Sequence, residues 1–310
     1  MSATLKVSAR VAAGPQCEAS LGCGGSREGM RNTSMRRHLA AIAKARVERD
    51  PGFAVRYYKR GSRFAERKYG PDAPPVLNVR QEYAVALHRA GESEKAEAEL
   101  AAVIAARGPA PDARDEFTRY AREWHARVLY ALGRFDEAEP EWRELAADCD
   151  RLLGADHEDA IDAHENHAVT LARLDRVAEA EAELVGVVEK KTAANGSDDE
   201  ATLRSRTNQA VYLGRLGRLP ESEAAWLGLI EAKSRLLGAQ NSDTIMAREM
   251  LAITLYDQRR LREAAAGYGE VAALRAATVG ADHRDTKRAR DWQARIEKEL
   301  QGPAQSSNTA

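Results

Sequence analysis

Residues 199–238 read DEATLRSRTNQAVYLGRLGRLPESEAAWLGLIEAKSRLLG, and this stretch decides the fold. Leu203, Ala210, Leu213 and Leu216 fall at helical spacing on one stripe. Gly217-Arg218 interrupts the stripe, as a glycine does at a helix C-terminus. Leu219-Pro220 restarts it, with proline tolerated in a first turn. Ala225, Trp226, Leu229, Ile230 and Leu236 form a second stripe that stops at Leu237-Gly238. The spacing predicts two antiparallel helices, and alternation of period two is absent throughout the chain.

The same unit recurs every 42 residues. Gly154, Gly196, Gly238 and Gly280 stand in one column, followed by Ala-Asp-His157, Ser-Asp-Asp199, Ala-Gln-Asn241 and Ala-Asp-His283. Stepping back by the same interval reaches Asp112 and Gly70. Other columns hold register without a gap: Ala84, Ala126, Ala168, Ala210, Ala252, and Leu87, Leu129, Leu171, Leu213, Leu255. Gly91, Gly133, Asp175, Gly217 and Arg259 form another, and Ala96, Ala138, Ala180, Ser222 and Ala264 a fourth. The columns of small residues have a mechanical reading, since a small side chain lets two helices approach closely. Pro140, one turn into a second helix, is expected to remove a backbone bond or kink that helix.

This text resembles tetratricopeptide repeats in their longer, kinesin-light-chain-like form. Leu129-Tyr-Ala-Leu-Gly133-Arg134-Phe-Asp-Glu-Ala138-Glu139 and Asn208-Gln-Ala210…Leu213…Gly217-Arg218-Leu219 carry the likeness over residues 70–300. Three departures stand out. The column of Asn166 and Asn208 holds Glu82, Trp124 and Met250 elsewhere. The prolines that follow the family's unit-start histidine are missing at Glu158 and Arg284. The resemblance implies an all-α fold, a right-handed α-solenoid of antiparallel helix pairs. The expected divisions are a disordered leader at 1–35, a degenerate capping helix pair at 36–69, five repeats at 70–279, a capping helix at 280–300 and a disordered tail at 301–310.

The resemblance also implies which positions of each first helix line a concave groove: two, three and six before the small Ala column, and one, four and five after it. In the first repeat these include Asn78, Gln81 and Arg89. In the second they are Tyr120, Glu123, Trp124, Arg127 and Tyr130, and in the third Asp162, Glu165, Asn166 and Arg173. Arg204, Thr207, Asn208 and Arg215 follow in the fourth, Met246, Glu249, Met250, Tyr256 and Asp257 in the fifth, and Trp292 in the terminal helix. Trp, Tyr and Arg supply most of the binding energy at interfaces, and Asn offers both a donor and an acceptor to a peptide backbone. The expectation is a non-enzymatic scaffold that binds an extended peptide or partner protein in this groove. The alternative is a freestanding regulatory or sensor module of a bacterial signalling or transcription-control system.

Composition narrows the classes further. The chain has 310 residues and a net charge of −1, with 44% hydrophobic, 5% aromatic and 31% charged residues. Aliphatic burial therefore rests on Ala, Leu and Val, as in helices. No run of about 18 apolar residues exists to cross a membrane. Lys+Arg of 47 against Asp+Glu of 48 creates no global field for nucleic acid or an anionic bilayer. Arg204, Arg206, Arg215, Arg218 and Arg235 have interleaved acids and no aromatic ladder, which reads as salt-bridged helix faces. Cys17, Cys23 and Cys149 make no disulfide framework, and Cys149 reads as a small buried hydrophobe. Lys6 and Arg10 precede no apolar segment of a signal peptide, so a cytoplasmic location is expected, and the predominance of Arg over Lys points to a bacterial source.

The search for chemistry returns little. Gly22-Cys23-Gly24-Gly25 lacks the Lys-Ser/Thr and the strand of a phosphate loop. In His164-Glu165-Asn166-His167 the histidines lie three apart, where the zinc-protease motif needs four. His164 is expected to be a solvated surface residue and His167 to pack beside Ala168. The expectation is no catalytic site, no metal and no cofactor.

Overall fold

The computed structural model describes residues 46–108 and 116–301. The expected leader, residues 36–45, Asp112 and all of the tail beyond Gln301 lie outside the described residues. Every element among the described residues is helical, with no strand.

The chain forms two compact units, one through Leu132 and one from Gly133. The first holds α1 (Pro51–Tyr69), α2 (Pro74–Arg89), α3 (Ser93–Ala106) and α4 (Glu116–Ala131). The second holds α5 (Phe135–Leu153), α6 (Glu158–Arg173), α7 (Val177–Asn195), α8 (Glu200–Arg215), α9 (Leu219–Leu237), α10 (Ser242–Asp257), α11 (Leu261–Val279) and α12 (Arg284–Gln301). Within each unit, every helix packs on its neighbours in the chain. α5 runs unbroken through Pro140, because a proline this near the N-terminus removes only one backbone bond.

The repeat columns explain how the pairs close. The Ala column 84, 126, 168, 210, 252 is 0–1% exposed, and its partner column of Ala96, Ala138, Ala180, Ser222 and Ala264 is fully buried. Ser222 joins the two columns by donating its hydroxyl to the Ala210 carbonyl at 2.9 Å. At Gly267 a Cβ would sit 3.1 Å from that of Ala252, so α11 approaches α10 to the limit of contact. The Leu column lies beside them, 2–8% exposed.

Turns follow the same register. His157, Asp199, Asn241 and His283 cap the first helices α6, α8, α10 and α12, each accepting from the backbone amide two residues on. The inner turn of each pair needs a left-handed residue, and Gly91, Gly133 and Gly217 supply it. Asp175 (φ 62°) and Arg259 (φ 63°) hold the same conformation without glycine's freedom.

In the second unit, a ladder of ion pairs ties each repeat to the one before. Arg176, Arg218 and Arg260 each grip the glutamate three residues on and also reach back 37 residues. The distances to Glu139, Glu181 and Glu223 are 3.1, 3.0 and 2.6 Å. These carboxylates are mostly shielded from water, so the ladder fixes register as well as charge. In the last repeat the receiving position is Ala265, and the ladder stops there.

Candidate functional site

In the first unit, several candidate groove positions are filled from within. Tyr120 and Trp124 are 8% and 7% exposed. Their rings meet edge to face at 6.1 Å, and His88 packs on the other side of Trp124 at 6.0 Å. The guanidinium groups of Arg89 and Arg127 lie 5.7 and 5.4 Å from the Trp124 ring centre, and Arg127 also pairs with Glu123. Asn78 accepts from Arg107 at 2.7 Å, Gln81 is buried, and Tyr130 is half-buried. Trp124 is thus part of an aromatic core, because α2 and α4 bring His88 and Tyr120 against it.

Glu82 shares the column of Trp124 and is 7% exposed, with no hydrogen bond or ion pair among the described residues. Burial pushes its carboxyl up to about 7, against the pull of the Arg89 charge. Tyr58 and Tyr120 sense it in turn: burial raises both phenols, and the Glu82 charge adds to the effect.

The second unit is arranged differently. Asn166 donates to the Asp162 carbonyl of its own helix at 2.7 Å. Asn208, one repeat on and half-buried, has no hydrogen-bond partner among the described residues. Arg173 lies over the Phe135 ring at 5.1 Å. Arg215 donates to the Ala172 carbonyl and to Asp175, each at 2.9 Å. Tyr256 donates to Glu299 and meets Trp292 edge-on at 6.1 Å, while Trp292 also stacks on Tyr268 at 5.9 Å. Met246 and Trp292 are 42% and 36% exposed.

At other groove positions, acids on the first helices are met by bases from the second helices. Lys191 lies 2.7 Å from Glu165 and 3.0 Å from Asp162, and Ser205 of the next first helix also donates to Glu165. Arg204 stands 3.7 Å from the same carboxylate. In the fifth repeat Arg275 lies 2.6 Å from Glu249, which Arg288 approaches at 3.3 Å.

His164 departs from expectation, while His167 is buried. His164 is half-buried, and its nitrogens contact Glu183 at 2.5 Å and Asp150 at 3.0 Å. His167 joins Glu183 at 2.7 Å and Glu139 at 3.3 Å. The hydrogen bond to Glu183 raises the His164 pKa, against burial. Burial opposes protonation of His167, but Glu183 and Glu139 outweigh it. All three acids reach the histidines from α5 and α7, so helical spacing on α6 alone gave no sign of them.

Tetratricopeptide repeat models match residues 126–159 and 244–285, and a second such model matches 82–102. The chain carries tetratricopeptide repeats. No curated protein sequence matches it. Among solved structures, the kinesin light chain TPR-like repeats of Podosopora anserina align with a TM-score of 0.60 at 19% identity, over 66% of this chain and 98% of that one. A tetratricopeptide repeat protein from Parabacteroides merdae aligns with a TM-score of 0.54 at 17% identity, over 87% and 94%. The Rap protein complexed with Competence and Sporulation Factor aligns with a TM-score of 0.50 at 11% identity, over 86% and 73%. These repeats are therefore kinesin-light-chain-like in fold, and the α-solenoid architecture is shared.

Proposed function

We propose that the chain is a non-enzymatic scaffold that binds an extended peptide or partner protein along the groove face of its first helices. One observation carries the reading: in the second unit that face leaves the Asn208 amide without a hydrogen-bond partner among the described residues, and Met246 on the next first helix is exposed. An ordinary solvated helix face is Glu, Lys, Arg and Ala. The Rap complex, of the same fold, supports the view that such an array accommodates a ligand. Each imidazole nitrogen of His164 and His167 is engaged by a carboxylate, which supports a structural role over a catalytic one. The arginines of the ladder are paired with acids, which supports a protein ligand over nucleic acid. No described helix is long and apolar enough to cross a membrane. A cytoplasmic, bacterial setting remains part of the proposal and rests on composition.

The test is capture of a partner from native lysate, identification by mass spectrometry, and affinity measurement with Asn208→Ala. Loss of one amide contact is expected to weaken binding by about 0.5–1.5 kcal/mol. Folding stability should stay within about 0.5 kcal/mol. Affinity unchanged by both Asn208→Ala and Met246→Ala would move the contact away from this face. Small-angle scattering with and without the captured partner separates the scaffold from the sensor alternative, which requires a change of curvature.

A further inference from the structure

Charge is unevenly placed along the chain. Residues 1–69 hold 15 Lys and Arg against 5 Asp and Glu, and the remaining residues hold 32 against 43. Among the described residues the excess gathers on α1. Arg56, Arg60, Arg63 and Arg67 stand three or four apart, so they form one row about 16 Å long, with Lys59 beside it. All five are exposed, and none has a hydrogen bond or ion pair among the described residues. Glu66, the one acid within α1, accepts from Ser62 at 2.9 Å.

The repeat register sets this face apart. α1 is a second helix, ending at Gly70 as α5, α7, α9 and α11 end at Gly154, Gly196, Gly238 and Gly280. One repeat on, α3 carries Ala98, Ala101, Ala102 and Ala105 at the matching positions. α7 and α11 carry one glutamate each and no base there. Where later second helices do place an arginine there, at Arg143, Arg151 and Arg235, an acid pairs with it. Like charges this close on a helix repel, so the row of α1 lowers helix stability and calls for a counter-charge from outside.

A second row runs alongside. Tyr57 and Phe64 each follow an arginine of the first row and are 48% and 71% exposed. Phe53 lies one turn before Tyr57, with ring centroids 6.0 Å apart and planes at 26°. A flexible polyanion with planar rings fits both rows: guanidinium groups pair bidentately with phosphates, and unpaired bases stack on exposed rings. A duplex hides its base faces, and an acidic peptide leaves the rings unused. A bilayer takes a helix by its apolar side, and α1 packs on α2 and buries Ala54 and Ala65.

We propose that this face of α1 binds single-stranded nucleic acid, with the arginine row on successive phosphates and the ring row on the bases beside them. The site lies outside the groove positions and apart from the paired arginines of the second unit, and it does not rest on the groove reading.

The experiment follows the fluorescence anisotropy of labelled 20-nucleotide oligothymidine and oligouridine with the full chain. Five cation–phosphate contacts at about 0.7 each give a slope of log K against log salt near −3.5, so affinity should fall about 100-fold between 50 and 200 mM NaCl. Arg60→Gln with Arg63→Gln should reduce that slope by about 1.4, and Lys at both positions should restore it. Phe64→Ala should weaken binding about tenfold at unchanged slope. Melting curves check that each variant is folded. No binding at 50 mM salt, a slope that survives the Gln pair, or affinity that survives Phe64→Ala would each overturn the proposal. So would equal affinity for a 20-base-pair duplex or for polyglutamate, or binding confined to vesicles of phosphatidylcholine with about 30% phosphatidylserine.

Discussion

Glu82 in the first unit and the His164–His167 pair in the second are both ionisable groups withdrawn from water, and their neighbours send them opposite ways. Glu82 lies near Tyr58 and Tyr120 with no hydrogen bond or ion pair among the described residues, and burial raises its pKa to about 7. The imidazoles are bracketed by Glu183, Glu139 and Asp150, and their charged form is the favoured one. Burial alone keeps a group neutral, while burial with opposite charges keeps it ionised. Both sites nevertheless lose stability as pH rises. For Glu82 the folded state holds its proton after the unfolded chain has lost it, so the loss falls between the ordinary carboxyl value of 4.5 and about 7. For the histidines the stabilisation is full below the usual 6.5 and disappears as pH climbs through their raised folded values.

The largest expected effect breaks the first half of this contrast. Glu82→Gln should leave stability nearly unchanged at pH 4 and raise it by about 3 kcal/mol at pH 8. Thermal melts across that range check it, and parallel pH profiles for variant and wild type would show that Glu82 ionises freely in the folded chain.

The second half is broken by His167→Gln, which leaves Glu183 and Glu139 short of a charged donor. A loss of about 1–3 kcal/mol is expected at pH 6, narrowing as pH rises towards 9. Urea midpoints at the two pH values decide the matter, since an equal loss at both would mean that the imidazole is uncharged throughout.

A smaller change sharpens the contrast by moving from charge to backbone. Arg259 holds a left-handed conformation that Gly217 fills one repeat earlier, and among the described residues its side chain makes only an exposed pair with Glu299. Arg259→Gly should stabilise the chain by about 1 kcal/mol, with no dependence on pH. A lowered Tm would show that the Glu299 pair outweighs the strain.

The smallest expectation is a control at the rim of the histidine network. Glu179 pairs with Arg176 in full contact with water, so Glu179→Gln should leave Tm and its pH profile unmoved. A pH-dependent shift would mean that the network extends outward through Arg176.

The helix pairs were legible because period, glycine and small-residue columns each report a local requirement. A residue such as Ala210 must be small in every sequence neighbourhood that packs a helix there, and Gly217 marks a left-handed turn wherever it stands. The candidate groove positions were legible as positions, but their state was not. Trp124 reads as an anchor in its column, yet His88 from α2 and Tyr120 one turn back close over it. Asn166 and Asn208 read alike, yet only Asn166 spends its amide on its own helix. His164 reads as a surface residue on α6 until Asp150 and Glu183 arrive from α5 and α7.

The sequence by itself determined the all-α architecture, the 42-residue register and the turn chemistry, since each depends on contacts within one repeat or on a single backbone conformation. Tertiary structure alone decided which charges are answered. An ion pair such as Lys191–Glu165 joins residues 26 apart in sequence, and Arg176–Glu139 joins residues 37 apart. Coulomb energy depends on distance in space and on the water excluded between the charges. That is why Glu165 answers Lys191 across 26 residues, and why the Glu82 carboxyl is pushed up while that of Glu183 is held down.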